Sequence, residues 1–291
     1  MNLQSSLKVI ILFVFLFPIV LKGQNDPPLR IEIETKSDEA GYNVATCAEN
    51  GMVLFYETTV VQENYKFWVF TSYNNFMQEA WKKDVPVYEN MTFRRKLYQD
   101  GFLYLFFHDT DKKKKEAFNY QVLKLNCQNG RYELFSGNLP EDAMLVDFDI
   151  MGDHLVAGMD VNEEHTLIFS LNLTTKESKI VYELLEVTSR FENIYIDTLN
   201  RAYVGIINVF ASKTENYLLL KEFDINDNNL SSIIVSPGEN KKLNSGKLIN
   251  IGNNERLLIG TYDYVKGASI DKKSYFSNSS SGFYAIKIAG N

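Results

Sequence analysis

The sequence predicts an all-β fold, a β-propeller of about five four-stranded antiparallel blades. Three observations carry this. Five times an apolar stretch runs into a tight polar turn and a second apolar stretch follows at once. The turns are Asn50-Gly51, Asp100-Gly101, Gly152-Asp153, Leu199-Asn200 and Asn253-Asn254, spaced by 50, 52, 47 and 54 residues. A period near 50 marks stacked units that cannot bury their own faces singly. The second observation is composition: 17 Tyr and 20 Phe among 291 residues suit strands and sheet interfaces. The third is that no long segment with a helical repeat follows the first 23 residues. A β-sandwich is the rival, but it gives no reason for the period.

The elements follow in order. Lys8 precedes an apolar run from Val9 to Leu21, and Gly23 stands before Gln24. That run is too short for a spanning helix, which needs about 20 residues. It fits a secretory leader over residues 1–23. Residues 24–291 are then one exported domain, secreted or periplasmic, with no membrane span. Arg30–Lys36 alternates strictly, as a strand with one wet face does. It is expected to pair with Phe283–Ile288 and close the ring, because the fifth unit lacks a fourth strand. Within each unit the second strands are Met52–Tyr56, Phe102–Phe107, Leu155–Met159, Ala202–Ile207 and Arg256–Tyr262. The third strands are Phe67–Thr71, Tyr120–Leu125, Thr166–Leu171, Tyr217–Phe223 and Phe283–Ile288. The fourth are Gln78–Lys82, Tyr132–Phe135, Ser178–Leu184 and Ser231–Val235, with Tyr73–Lys83 a possible short helix. Asn, Asp and Gly fill the turns because they tolerate positive φ. Gly158, Gly205 and Gly260 recur in second strands, where a neighbouring blade is expected to crowd them.

The net charge of −7 argues against a nucleic-acid partner, which needs a basic face. Cys47 and Cys127 are the two cysteines. An exported protein permits a disulfide between them, but their places in units one and two are expected to be far apart, leaving two buried or half-buried thiols with no metal between them.

Candidate sites come from chemistry-bearing residues in unusual places. First strands carry Arg94, Arg95, Lys96, Asp147, Asp149 and Asp197 where core residues belong. They line the channel of a propeller. A pair of carboxylates there could cleave glycosides; the plain alternative is Arg–Asp pairing between blades. His108, His154 and His165 stand at strand ends, two of them beside Asp, and read as surface histidines. Asp224–Asn229 resembles the opening of a calcium loop but lacks its glycine and terminal glutamate, so a plain turn is expected. Lys112–Lys115 reads as a solvated loop. The longest loop between second and third strands, Asp263–Ser281, carries Tyr262, Tyr264 and Tyr275 and is the binding surface of first choice.

The phrases Ile259-Gly260-Thr261-Tyr262 and Gly282-Phe283-Tyr284-Ala285-Ile286-Lys287 resemble repeats of uncharacterised exported propeller-like proteins of Bacteroidetes-type bacteria, within the broad WD40 and kelch-like superfamily. The WD dipeptide and the kelch double glycine are both absent. The resemblance implies export and a repeat scaffold, and no activity. The functional expectation is a non-enzymatic module that presents loops to a protein or carbohydrate ligand, as a monomer and without a cofactor. The alternatives are a carbohydrate-active hydrolase with carboxylates in the channel, or the N-terminal part of a larger propeller scaffold.

Overall fold

The computed structural model describes residues 30–32, 41–109, 118–211, 216–238, 241–252, 255–264 and 280–289. The leader, Lys112–Lys115, Tyr275 and the Asn253-Asn254 turn lie outside them.

Nineteen strands form five successive antiparallel sheets among the described residues. Blade one holds β1 (Asn43–Thr46), β2 (Met52–Gln62), β3 (Tyr65–Tyr73) and β4 (Glu79–Tyr88). Blade two holds β5 (Met91–Gln99), β6 (Phe102–Asp109), β7 (Tyr120–Asn126) and β8 (Tyr132–Gly137). Blade three holds β9 (Ala143–Met151), β10 (His154–Val161), β11 (His165–Asn172) and β12 (Ser178–Leu184). Blade four holds β13 (Thr188–Asp197), β14 (Ala202–Phe210), β15 (Asn216–Asp224) and β16 (Asn229–Val235). Blade five has three strands, β17 (Lys241–Gly252), β18 (Glu255–Tyr264) and β19 (Gly282–Ala289). Each blade is a meander whose first strand is innermost.

The short turns work as their residues dictate. Asp100 and Gly101 both take positive φ, at 50° and 81°. Asp224 accepts from the amides of Asn226 and Asn228 and from the Asn228 side chain, and these bonds hold its carboxyl below the usual range. That is the plain turn expected of the calcium-like stretch. Tyr73–Lys83 is not helical. Asn74 closes a turn by accepting from Phe76 and Gln78, and β4 then runs on to Tyr88. Pro86 is tolerated because β4 is an outermost strand.

Near-continuous apolar runs make sense once the blades stack, since both faces of a middle strand are covered. Leu103, Leu105 and Phe107 of β6 pack toward blade one with Phe55, Phe70 and Val85. Tyr104 and Phe106 pack toward blade three with Phe148 and Phe169. Two further clusters join blades three to four and four to five. Four blade interfaces thus hold the core, each built from alternate residues of facing sheets.

Three expectations change here. First, the described residues do not close the ring. Arg30–Glu32 form no strand; Arg30 and Glu32 pair with each other and both are exposed. The rest of Arg30–Lys36 lies outside the described residues, and β19 pairs only with β18 among them. Second, Cys47 and Cys127 are not distant: their sulfurs are 2.6 Å apart. Stacked blades bring equal heights of neighbouring sheets together, and both residues sit at the short-turn end of the interface between blades one and two. Third, the strand glycines have unlike reasons. A Cβ on Gly158 would meet the Phe191 ring at 1.9 Å, and one on Gly205 would meet Ile168 at 2.6 Å, in each case from an adjacent blade. At Gly260 the crowding comes from its own blade, the Ser245 carbonyl at 2.0 Å and the Tyr284 hydroxyl at 2.5 Å.

Candidate functional site

The meander places the connections between second and third strands on one face and the short turns on the other. The chemistry-bearing groups that remain after turns and ion pairs are accounted for gather on the first face, across blades three to five.

The carboxylates expected in the channel separate into different jobs. Asp197 is buried and caps the β13–β14 turn, accepting from the Asn200 amide at 3.1 Å and its side chain at 2.9 Å. Asp147 pairs with Arg95 of the preceding blade at 2.8 Å and accepts from the Ile194 amide of the next at 3.2 Å. Arg95 also donates to the Val146 carbonyl. Pairing between blades therefore accounts for Asp147. Asp149 accepts from the amide of Ile150, and burial pushes its carboxyl up, with Asp147 adding to the effect.

A different carboxylate stands out. Glu192 is the extra residue of a bulge in β13: Phe191 opposes Ile207, and Asn193 opposes Ile206. The bulge turns Glu192 toward Asn208, whose amide donates to it at 3.4 Å. Burial raises its carboxyl to about 7; the Asn208 bond opposes this and the Asp160 charge adds to it. Asp160, on β10, accepts from the Phe191 amide at 2.7 Å and from Arg190 at 3.5 Å. Burial raises Asp160 as well, against those two bonds.

The surroundings are polar and fully partnered. Asn216 donates to Asn208 at 2.9 Å and to the Leu243 carbonyl at 2.7 Å, and accepts from the Leu243 amide. Asn193 donates to the Gly246 carbonyl. Tyr284 donates to the Ser245 carbonyl at 2.6 Å, and burial and the Glu192 charge raise its phenol. Strands β13, β14, β15, β17 and β19 all contribute, so the arrangement is anchored on rigid backbone and not on a loop tip.

At the rim of this face lie two of the three tyrosines singled out in the sequence, Tyr262 and Tyr264. Tyr262 and Tyr264 meet edge to face, with centroids 5.5 Å apart. The Lys241 ammonium lies 4.6 Å and 5.7 Å from their centroids. Tyr264 is 54% exposed. Asp263 accepts from the Ser281 amide at 2.8 Å and from Asn244 at 2.9 Å, pinning both ends of the long loop.

His108 is not a surface residue. It is buried, and burial with Arg94 nearby lowers its imidazole to about 4. His154 lies 3.5 Å from Asp153, and His165 lies 3.3 Å from Glu183, on separate strands. Among the described residues no group of three or more His, Cys, Asp or Glu could hold a metal ion. No described helix is long and apolar enough to cross a membrane. A polar groove of about 620 Å³ lies on the opposite face between blades one and two, lined by Glu49, Asn50, Tyr98, Asp100, Asn126 and Gln128.

Sequence reasoning passed over Glu192 and Asp160. The signal available was Arg190-Phe191-Glu192-Asn193-Ile194, a polar pair inside an apolar innermost strand. A bulge explains that pair, and bulges have no short-range sequence mark of their own here.

Neither a family profile nor a curated protein matches the chain. Among solved structures, the cobalt-substituted apocarotenoid oxygenase of Synechocystis is similar at 6% identity and a TM-score of 0.43, over 86% of this chain and 61% of that one. A polysaccharide lyase of a new family, an ulvan lyase, is similar at 12% identity and a TM-score of 0.42, over 81% of this chain and 69% of that one. This chain thus spans about 61% of the length of the oxygenase.

Proposed function

We propose that the protein is a carbohydrate-active enzyme of the exterior or periplasm that cleaves glycosidic bonds, with Glu192 as its proton donor. The observation that carries this is a carboxyl raised to about 7 on an innermost strand, beside a second carboxylate. A carboxylic acid still protonated near neutrality can give its proton to a departing glycosidic oxygen. Asp160 is held by Arg190 and by the Phe191 amide, which favours its charged form against burial. It is the partner carboxylate, suited to water activation or charge stabilisation. The secretory leader expected over residues 1–23 favours an exported place of action.

Glu192→Gln is expected to lower cleavage at least a hundredfold on a panel of neutral and acidic polysaccharides, with binding retained by calorimetry. Cleavage by the intact protein should fall as pH rises above about 7, because the donor then loses its proton. Full cleavage by the variant, or no cleavage of any glycan by the intact protein, would refute the reading.

A non-enzymatic binding module is the second reading, favoured by the Lys241–Tyr262–Tyr264 cluster, of which Tyr264 is exposed. Aromatic faces flanked by a cation suit a sugar or an acidic protein segment. Under it, replacing Tyr262 and Tyr264 by Ala weakens binding severalfold, while Glu192→Gln changes nothing.

A further inference from the structure

Cys47 directly follows the first strand of blade one, and Cys127 lies in the β7–β8 turn of blade two. Both are buried in the interface between those blades, at 0% and 1% exposure. Both are free thiols in this structure, with their sulfurs 2.6 Å apart, closer than van der Waals contact and longer than the ~2.05 Å of a disulfide bond. The backbone at each end is independently pinned. The Cys47 amide donates to the Gly51 carbonyl at 2.7 Å, and its carbonyl accepts from Asn50 at 2.9 Å. The Cys127 amide donates to the Gly101 carbonyl at 3.0 Å, and its carbonyl accepts from the Trp81 indole at 2.9 Å. The sulfurs therefore meet because two fixed turns aim them, not because a mobile side chain reaches across. In the reduced pair the contact between the two sulfurs lowers the Cys47 thiol and raises that of Cys127, on which burial acts in the same direction. The chain has no other cysteine to compete.

We propose that Cys47 and Cys127 are joined as an interblade disulfide, formed by a protein disulfide donor in an oxidising compartment. The Cys47 thiolate attacks one sulfur of the donor disulfide and expels the other as a thiolate. Cys127, deprotonated, then attacks the Cys47 sulfur of the mixed disulfide and expels the second donor thiolate. The two cysteines lose two electrons and two protons, and the donor leaves as a dithiol. Because both sulfurs are buried once the blades stack, the exchange precedes the closing of that interface. The crosslink spans a sequence separation of 80 residues, so it ties the first strand of one blade to the far turn of the next. It would also fix the floor of the polar groove, whose lining residues Ala48, Asn126 and Gln128 are the immediate neighbours of the two cysteines.

The test is intact mass and thiol labelling of the full chain sent to an oxidising bacterial periplasm. The protein is quenched in acid, unfolded, and treated with a maleimide before and after reduction. The expected result is no adduct before reduction and two after it. The unreduced mass should be lighter by two hydrogen atoms, and a digest should hold one peptide pair linked through Cys47 and Cys127. One or two adducts before reduction, or a disulfide-linked dimer, would overturn the proposal.

Discussion

Glu192 shows how a single group can serve a site at the expense of stability. Its carboxyl titrates near 7 in the folded chain against an ordinary value of 4.5. Below 4.5 the folded and unfolded states both hold the proton, and Glu192 adds no pH dependence. Between 4.5 and about 7 the unfolded chain ionises first, so rising pH favours unfolding. The loss is complete above about 7 and is on the order of 2 kcal/mol after allowance for partial exposure. Asp149 and Asp160 shift in the same direction. His108 acts oppositely: with its imidazole lowered to about 4, the unfolded chain binds its proton more readily, and stability rises with pH over that range. The comparison must therefore be with Glu192→Gln and not with a bare profile. Urea unfolding should show the variant gaining stability over the wild type as pH rises from 4.5 to about 7, and holding that gain above it. Parallel curves for the two proteins would mean that the carboxyl is not raised.

Ion pairs between strands are the next level of organisation, and they are unequal. Lys66–Glu57 joins two strands of blade one at partial exposure, where such pairs add little. Arg256 of β18 and Glu222 of β15 differ, because both are buried and the contact is bidentate at 2.8 Å and 3.2 Å. Ser231 gives Glu222 a further bond at 2.8 Å. Removing one partner leaves a buried charge without compensation. Arg256→Met should cost about 3–5 kcal/mol in urea unfolding, and adding Glu222→Met should restore most of that loss. Equal losses in the single and double variants would show that the pair is not coupled.

This level also shows why parts of the fold were legible and others were not. Second and third strands such as Phe102–Phe107 and Thr166–Leu171 are bounded by turn residues and apolar on both faces, so their place follows from local chemistry. The position of Gly158 under Phe191 also follows, since a strand glycine needs a crowding neighbour. Glu192 was hidden because its orientation depends on a one-residue bulge, which shifts every later side chain relative to simple alternation. The Cys47–Cys127 meeting was hidden for a related reason. A repeat period sets how many sheets exist, but not which heights of neighbouring sheets touch. Arg30–Glu32, the described part of the alternating segment expected to close the ring, take no part in a sheet, because alternation alone names no pairing partner.

Taken together, the blades form a chain of neighbours and not a shared centre. Each apolar cluster joins two consecutive blades, and no cluster among the described residues spans three. Stability in such an array is approximately a sum of blade terms and nearest-neighbour terms. The interface of blades one and two is the most aromatic: Phe55 stacks on Phe70 at 5.4 Å and meets Phe93 edge to face at 5.4 Å. Phe55→Ala should cost about 3–5 kcal/mol, because the facing strands cannot collapse onto the space. The loss should be local. Amide exchange should quicken in β1–β7, whereas β14, β15 and β18 keep their protection, since their cores at Ile206, Leu218 and Leu258 contain no residue of blades one or two. A uniform rise in exchange across all five blades would instead mean that the sheets unfold as one cooperative unit. In that case the disulfide and the Glu192 site, at different interfaces, would be coupled through global stability. The nearest-neighbour account keeps them independent: a change at Cys47 then leaves the titration of Glu192 where it was.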